Sequence, residues 1–293
     1  MRPHFYPHMT VYALFCSFSA IASPAGAASN PAVSGPVAAA DSPVPETGVT
    51  SLGFGTELHA KNDLLLQGVH AIAAQGAGMN MMINQMPQEV FDCEFRGNNA
   101  SDRGAGLMLK KNPFTVTIRH TWMEGNIAKY GAGIYAHSPV VMENSVVIDN
   151  TATTGGGGIY AREFGGTLSN LVLDGNSSPS GAGLKFDAWA GTARNLSITS
   201  NLDGKGVHAV GVLPVSFKYN DVWNNLGGNY NTTMGDRTGI DGNIKVDPLY
   251  VSLTDFHLLG GSPLINAGDP TLLDANGTVS DIGAYGGPQG SGW

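Results

Sequence analysis

The chain has 293 residues, 42% of them hydrophobic, with 41 glycines and only 13% charged side chains. Such a composition excludes a mainly helical protein, because glycine is costly inside helices and long helices need charged solvent faces. A net charge of −8 argues against nucleic acid and anionic membrane surfaces as partners.

Residues 1–28 read as a secretory signal peptide, with Arg2, an apolar stretch over 9–22, and a small-residue cleavage site at Ala25 and Ala27. The apolar stretch is shorter than a membrane span, so the expectation is a secreted protein with no transmembrane segment, at the cell surface, in the periplasm or outside the cell. Residues 29–51 are rich in Ala, Pro and Ser without a period and read as a flexible linker. Beyond the signal the chain keeps only Cys93, which leaves no partner for an internal disulfide.

Residues 52–242 carry a repeat. GAGMNM starts at Gly76, GAGLML at Gly104, GAGIYA at Gly131, GGGIYA at Gly156 and GAGLKF at Gly181, with a weaker GVHAVG at Gly206. A second series runs in phase, at Asn98, Asn126, Asn150, Asn176 and Asn201, and a third precedes it by six residues, at Asp92, His120, Asn144, Asn170 and Asn195, with Asn220 as its next member. A period near 25 with short β-rich pieces and small turn residues predicts an all-β fold, a right-handed single-stranded parallel β-helix with one coil per repeat.

Strand alternation assigns the faces. Leu107, Ile134, Ile159 and Leu184 are predicted to stack inward, as are Leu109, Ala136, Ala161 and Phe186. The alternate columns, Met108, Tyr135, Tyr160, Lys185 and Lys110, His137, Arg162, Asp187, are predicted to face solvent. Cys93, Ser145, Leu171 and Leu196 share an inward column, so Cys93 is expected to be a core thiol. The turn asparagines are expected to bond neighbouring backbone and one another along the rod.

Residues 243–293 are predicted to cap the open end of the solenoid, since an unpaired strand edge invites aggregation. The segments VSFKYNDVWNN (215–225), IKVDPLYVSLTDFHLLGGSPLINAGDP (244–270) and DIGAYGGP (281–288) resemble the end of right-handed parallel β-helix proteins of the pectate-lyase-like superfamily. The SPLINAGDP to DIGAYGG portion is similar to a segment of bacterial surface proteins with polymorphic-outer-membrane-type repeats. The resemblance covers roughly residues 52–288 and implies a fold; one solenoid hosts lyases, hydrolases, epimerases and adhesins, so it does not by itself select a function.

The solvent-facing columns are the candidate site. Tyr135 and Tyr160 offer faces for sugar rings, and Lys110, Arg162 and Asp187 offer charged contacts to an acidic polysaccharide. The expected function is therefore binding of extracellular carbohydrate by a monomer. The alternative is a polysaccharide lyase, in which Arg162 or Lys110 neutralises the uronate carboxylate while Lys185, His137 or Tyr160 removes the α-proton. A hydrolase would need two carboxyls, and Glu124 and Asp174 share an outward column two coils apart, with Ile148 between them. No cofactor or metal site is expected from the histidines. Ca²⁺ is a weak reading of Asp269, Asp274, Asn276 and Asp281, whose DANG turn lacks the spacing of a calcium loop.

Overall fold

The computed structural model describes residues 76–82 and 87–291, together with the backbone of the strands Ser19–Ala20, Thr56–Gln67 and His70–Ala71. The signal and linker readings over 1–51 otherwise lie outside the described residues. Among the described residues the chain is all-β with no helix, and its parallel strands stack as a solenoid of about 6 turns.

Three sheets run along the solenoid. The first carries the strands that follow each Gly-x-Gly: Met79–Met82, Leu107–Lys110, Ile134–His137, Ile159–Arg162, Leu184–Asp187 and Val207–Val210. The second holds the longest strands, among them Gln88–Arg96, Val140–Ile148, Gly166–Asp174 and Thr192–Thr199. The third consists of short strands, including Ile127–Tyr130 and Thr151–Gly155. The registers follow the repeat: Ile134 pairs with Leu107 and Ile159, and Ile159 with Leu184.

The glycines mark a tight return. Gly131 and Gly156 have φ of 56° and 66°, and a Cβ on either would collide with Tyr135 or Tyr160 of the strand about to begin. The chain thus folds back over the strand it is entering, which only glycine allows at both the dihedral and the contact.

Both predicted inward columns of the first sheet are buried, and Cys93 is 1% exposed in the same core. The asparagine series forms a buried ladder. The Asn126 N–H and Nδ2 both donate to Asn150 Oδ1, at 3.0 and 2.8 Å, and Asn150 donates in the same way to Asn176. Each Nδ2 also reaches a carbonyl of the preceding coil, as Asn150 does to Met123 O at 3.0 Å.

Two registers differ from expectation. Gly206 stacks on Gly183 rather than Gly181, because Val207 pairs with Leu184. Asn220 aligns with Leu196, and Tyr219 takes the left-handed position of the Asp92–Asn195 column with φ of 53°. The last coil is shorter, so its polar residue is drawn inward, where Asn220 Oδ1 accepts from the Leu196 N–H.

The end of the stack is closed by residues 226–243. Met234 enters the core with Tyr230 and Leu213 packed against it, and Asn231 imitates a strand by bonding Ala209 through both side-chain atoms. Residues 248–290, expected to cap that end, instead run as a strap along the outer face of the second sheet. The left-handed column is their rail. Asn144 Nδ2 donates to Ala284 O and Gly286 O at 2.8 and 2.7 Å; Asn170 Nδ2 donates to Asp281 O at 3.1 Å. Asn195 accepts from the Asp269 N–H at 2.7 Å, and His120 Nε2 contacts Gln289 O at 3.0 Å. Phe256 and Ala284 pack on Val146, Ile148 and Val172, closing an apolar layer on the outer side of this sheet.

Asp221 is fully buried at the edge of this layer, where its Oδ1 accepts from the Val246 N–H at 3.0 Å and its Oδ2 has no protein partner. Burial pushes its carboxyl up to about 7, against the Val246 bond and with help from Asp247. A folded pKa above the ordinary value means the native state holds a proton the unfolded chain releases. Its contribution is therefore fully present below about pH 4 and is lost as the pH rises through about 7. Denaturant unfolding of the wild type and Asp221→Asn at pH 4 and pH 8 checks this: the variant should gain by up to about 4 kcal/mol at pH 8 and little at pH 4.

Candidate functional site

The predicted site lies on the outer side of the first sheet, and its two columns have separate fates. Met108, Tyr135 and Tyr160 point away from the core yet form a second apolar cluster, with Tyr130 packed on it. Tyr135 is 2% and Tyr160 6% exposed. This corrects the expectation that they face solvent. The residues preceding each Gly-x-Gly cover them: Tyr130 lies 5.9 Å from the Tyr160 ring, and the Arg103 guanidinium sits 5.4 Å above Tyr135. The tyrosines pack edge-on against each other at 5.1 Å, which spends their rings on the protein rather than on a ligand.

The second column, Lys110, His137, Arg162 and Asp187, is partly exposed at the strand ends, with Lys110 paired to His137 and Arg162 to Asp187 in register. Arg162 is held charged by the Tyr135 hydroxyl, Glu163 and Asp187. It meets Glu163 at 2.8 Å and Asp187 at 3.7 Å. The Tyr160 hydroxyl donates to Asp187 Oδ2 at 2.6 Å; burial first, and then Asp187, drive its pKa above the usual phenol value. His137 Nε2 bonds Glu163 Oε2 at 2.9 Å, and this bond holds the Glu163 carboxyl below its ordinary range.

Lys185 is half-buried with its ammonium 5.0 Å from the Tyr160 ring centroid, and burial lowers its pKa. Its neighbour in register is His208, likewise lowered by burial and then by the Lys185 charge.

Sequence reasoning missed three members of this constellation. Glu163, at φ of 59°, stands just past the strand end and ties His137 to Arg162. Phe164 is 38% exposed and lies 5.4 Å from the His137 ring, so the exposed aromatic of the site is a phenylalanine in the turn. His208 sits in a coil whose register had slipped. Only Glu163 and Phe164 were within reach, as the residues directly following Arg162 in the changed part of the repeat.

The Glu124–Ile148–Asp174 column exists in register. Ile148 packs with Phe256 of the strap, Trp122 Nε1 donates to Glu124 Oε2 at 2.8 Å, and burial pushes Asp174 up to about 6. The strap thus lies against the space between the two carboxyls. Among the described residues no group of three or more His, Cys, Asp or Glu converges as a metal site. Asp269, one of the four residues of the calcium reading, faces Lys218 at 2.8 Å and Arg194 at 3.3 Å.

Comparison with protein-family models, curated proteins and solved structures finds no match. The chain is a parallel β-helix repeat protein on its own geometry.

The roofed tyrosines generate a test. Tyr160→Ala should lower stability by about 3–5 kcal/mol, as truncation of a buried aromatic does, whereas Phe164→Ala should change it by less than about 1 kcal/mol. Equal urea midpoints for Tyr160→Ala and the wild type would contradict the burial.

Proposed function

We propose that the chain is a secreted β-helix protein of the pectate-lyase-like superfamily that binds extracellular acidic polysaccharide along the corner of its first sheet. The observation carrying this reading is the two in-register pairs Lys110–His137 and Arg162–Asp187, joined through Glu163 and extended outward by Phe164. Coil stacking sets such groups about 4.8 Å apart, an array of donors and acceptors suited to an extended polymer with hydroxyl and carboxylate groups. Phe164 supplies the apolar ring surface that the buried tyrosines do not.

A lyase reading is favoured by one feature, the half-buried Lys185 ammonium over the Tyr160 ring, two residues along the strand from the Arg162–Asp187 pair, with its pKa lowered by burial. In that reading the Lys185 amine, once deprotonated, takes the proton α to the uronate carboxylate, Arg162 neutralises the carboxylate, and the glycosidic C–O bond breaks, the leaving oxygen taking a proton from water and the other product being an unsaturated uronate. Tyr160 is the poorer candidate for the base, because burial and the bond to Asp187 keep its hydroxyl protonated.

Affinity electrophoresis in polygalacturonate, alginate and a neutral β-glucan tests the proposal. Retardation is expected in at least one uronate polymer, with Arg162→Ala and Phe164→Ala each weakening it about five- to tenfold. Unretarded wild-type protein in both uronate polymers would overturn it. Growth of ultraviolet absorbance on mixing protein and polymer, abolished in Lys185→Gln, would establish the lyase reading instead.

A further inference from the structure

The solenoid fills its buried polar positions mostly with asparagine, serine and threonine, and two carboxylates depart from that rule. Asp269 is one, and it meets Lys218 and Arg194. Asp221 is the other and meets no cation: its Oδ1 accepts from the Val246 N–H, and its buried Oδ2 has no protein partner. An asparagine would accept the same N–H and leave nothing to ionise, as Asn220 does for the Leu196 N–H one residue away.

Asp221 ends the outer column Trp122, Val146, Val172, Ser197, Asp221 of the second sheet, and the neighbouring column runs Glu124, Ile148, Asp174, Thr199. Toward the closed end of the solenoid the apolar layer under the strap thus gives way to two carboxyls. Tyr250 of the strap seats on Ser197, next to Asp221 in register, with its hydroxyl donating to Ser197 Oγ at 2.6 Å. The charges of Asp174 and Asp221 both resist loss of the Tyr250 proton, so both face it. Asp174 accepts from Thr199 Oγ1 at 3.0 Å and faces Asp149; Asp221 faces Asp247 and Tyr230. Each titratable neighbour of the pair is an acid or a phenol. Burial leads in raising both carboxyls, Asp174 to about 6 and Asp221 to about 7.

We propose that residues 246–256 form a latch that lies on the second sheet while Asp174 and Asp221 are protonated and lifts when they ionise. The closed latch holds two protons that the open one, with its carboxyls in water, releases at the ordinary carboxylate range. Closure is therefore strongest in acid and is lost as the pH rises through about 6 to 7. The rest of the strap keeps fastenings that do not titrate over this range: Asp269 stays paired with Lys218 and Arg194, and Asn144 and Asn170 hold backbone carbonyls through neutral amides. Lifting uncovers Ser197 under Tyr250 and Ile148 under Phe256, and leaves the inward columns of the core in place. The unpaired Asp221 oxygen is then the trigger, which explains why this position carries a carboxylate rather than an amide.

The experiment follows thiol labelling of Ser197→Cys at pH 5 and pH 8, with Ile148→Cys as a second reporter. Each rate is divided by that of a model thiol peptide, so that ionisation of the thiol cancels. Between these pH values the opening equilibrium should rise about tenfold through Asp174 and about a hundredfold through Asp221. Combining Asp174→Asn with Asp221→Asn should remove the rise. Cys93, buried in the core, reads global unfolding in the same sample and should label far more slowly than either reporter at pH 8. A normalised rate that does not rise would overturn the proposal, as would a rise that persists in the double variant. So would reporters that label no faster than Cys93, which would mean that the strap leaves only when the whole fold opens.

Discussion

The buried asparagine ladder is the interaction on which the rest of the structure depends. Asn98, Asn126, Asn150, Asn176 and Asn201 are all fully buried at the bend between the second and third sheets. From Asn126 to Asn201 each uses one oxygen to accept twice from the previous asparagine and one amide to donate twice, to the next asparagine and back to a carbonyl. Aspartate lacks the donor, and glutamine places its amide one methylene too far from its own backbone. A polar group without partners inside a solenoid is heavily penalised, so the ladder forces each coil into register with its neighbours. That register lines up the apolar columns of the core and, on the outside, the row of Lys110, His137, Arg162 and Asp187.

A second polar column divides the outer surface. The left-handed residues His120, Asn144, Asn170 and Asn195 turn their side chains outward and receive the strap, which covers much of the second sheet. Asp269 fastens the strap electrostatically: burial opposes its charge, but Lys218 and Thr271 hold its carboxyl at about 2. With the second sheet occupied, and the tyrosine column of the first roofed by Tyr130 and Arg103, the charged strand ends become the prominent decorated strip on the first sheet. The proposed carbohydrate corner is thus a consequence of what the other surfaces are used for.

The sequence showed most of the fold because its signals are local and periodic. Gly131 and Gly156 are demanded by backbone contact, Asn126 and Asn150 by side-chain bonding along the rod, and both recur every coil. Less of the site was legible. Alternation places Tyr160 off the core but says nothing of what covers it, and the covering residue Tyr130 belongs to the preceding turn. The strap was read as an end cap because its contacts to Asn144 and Asn170 span more than a hundred residues of sequence, which no periodicity encodes. Asn220 was assigned by a constant spacing where the coil had shortened by one residue.

Native-state hydrogen exchange tests the ladder most directly, since it reads the opening of individual amides. The account predicts that the amides of Asn126, Asn150, Asn176 and Asn201, each bonded to the next asparagine side chain, exchange only through global unfolding and share one free energy of opening. Exchange of the Asn150 or Asn176 amide through a local opening several kcal/mol below that of the core strands would contradict it.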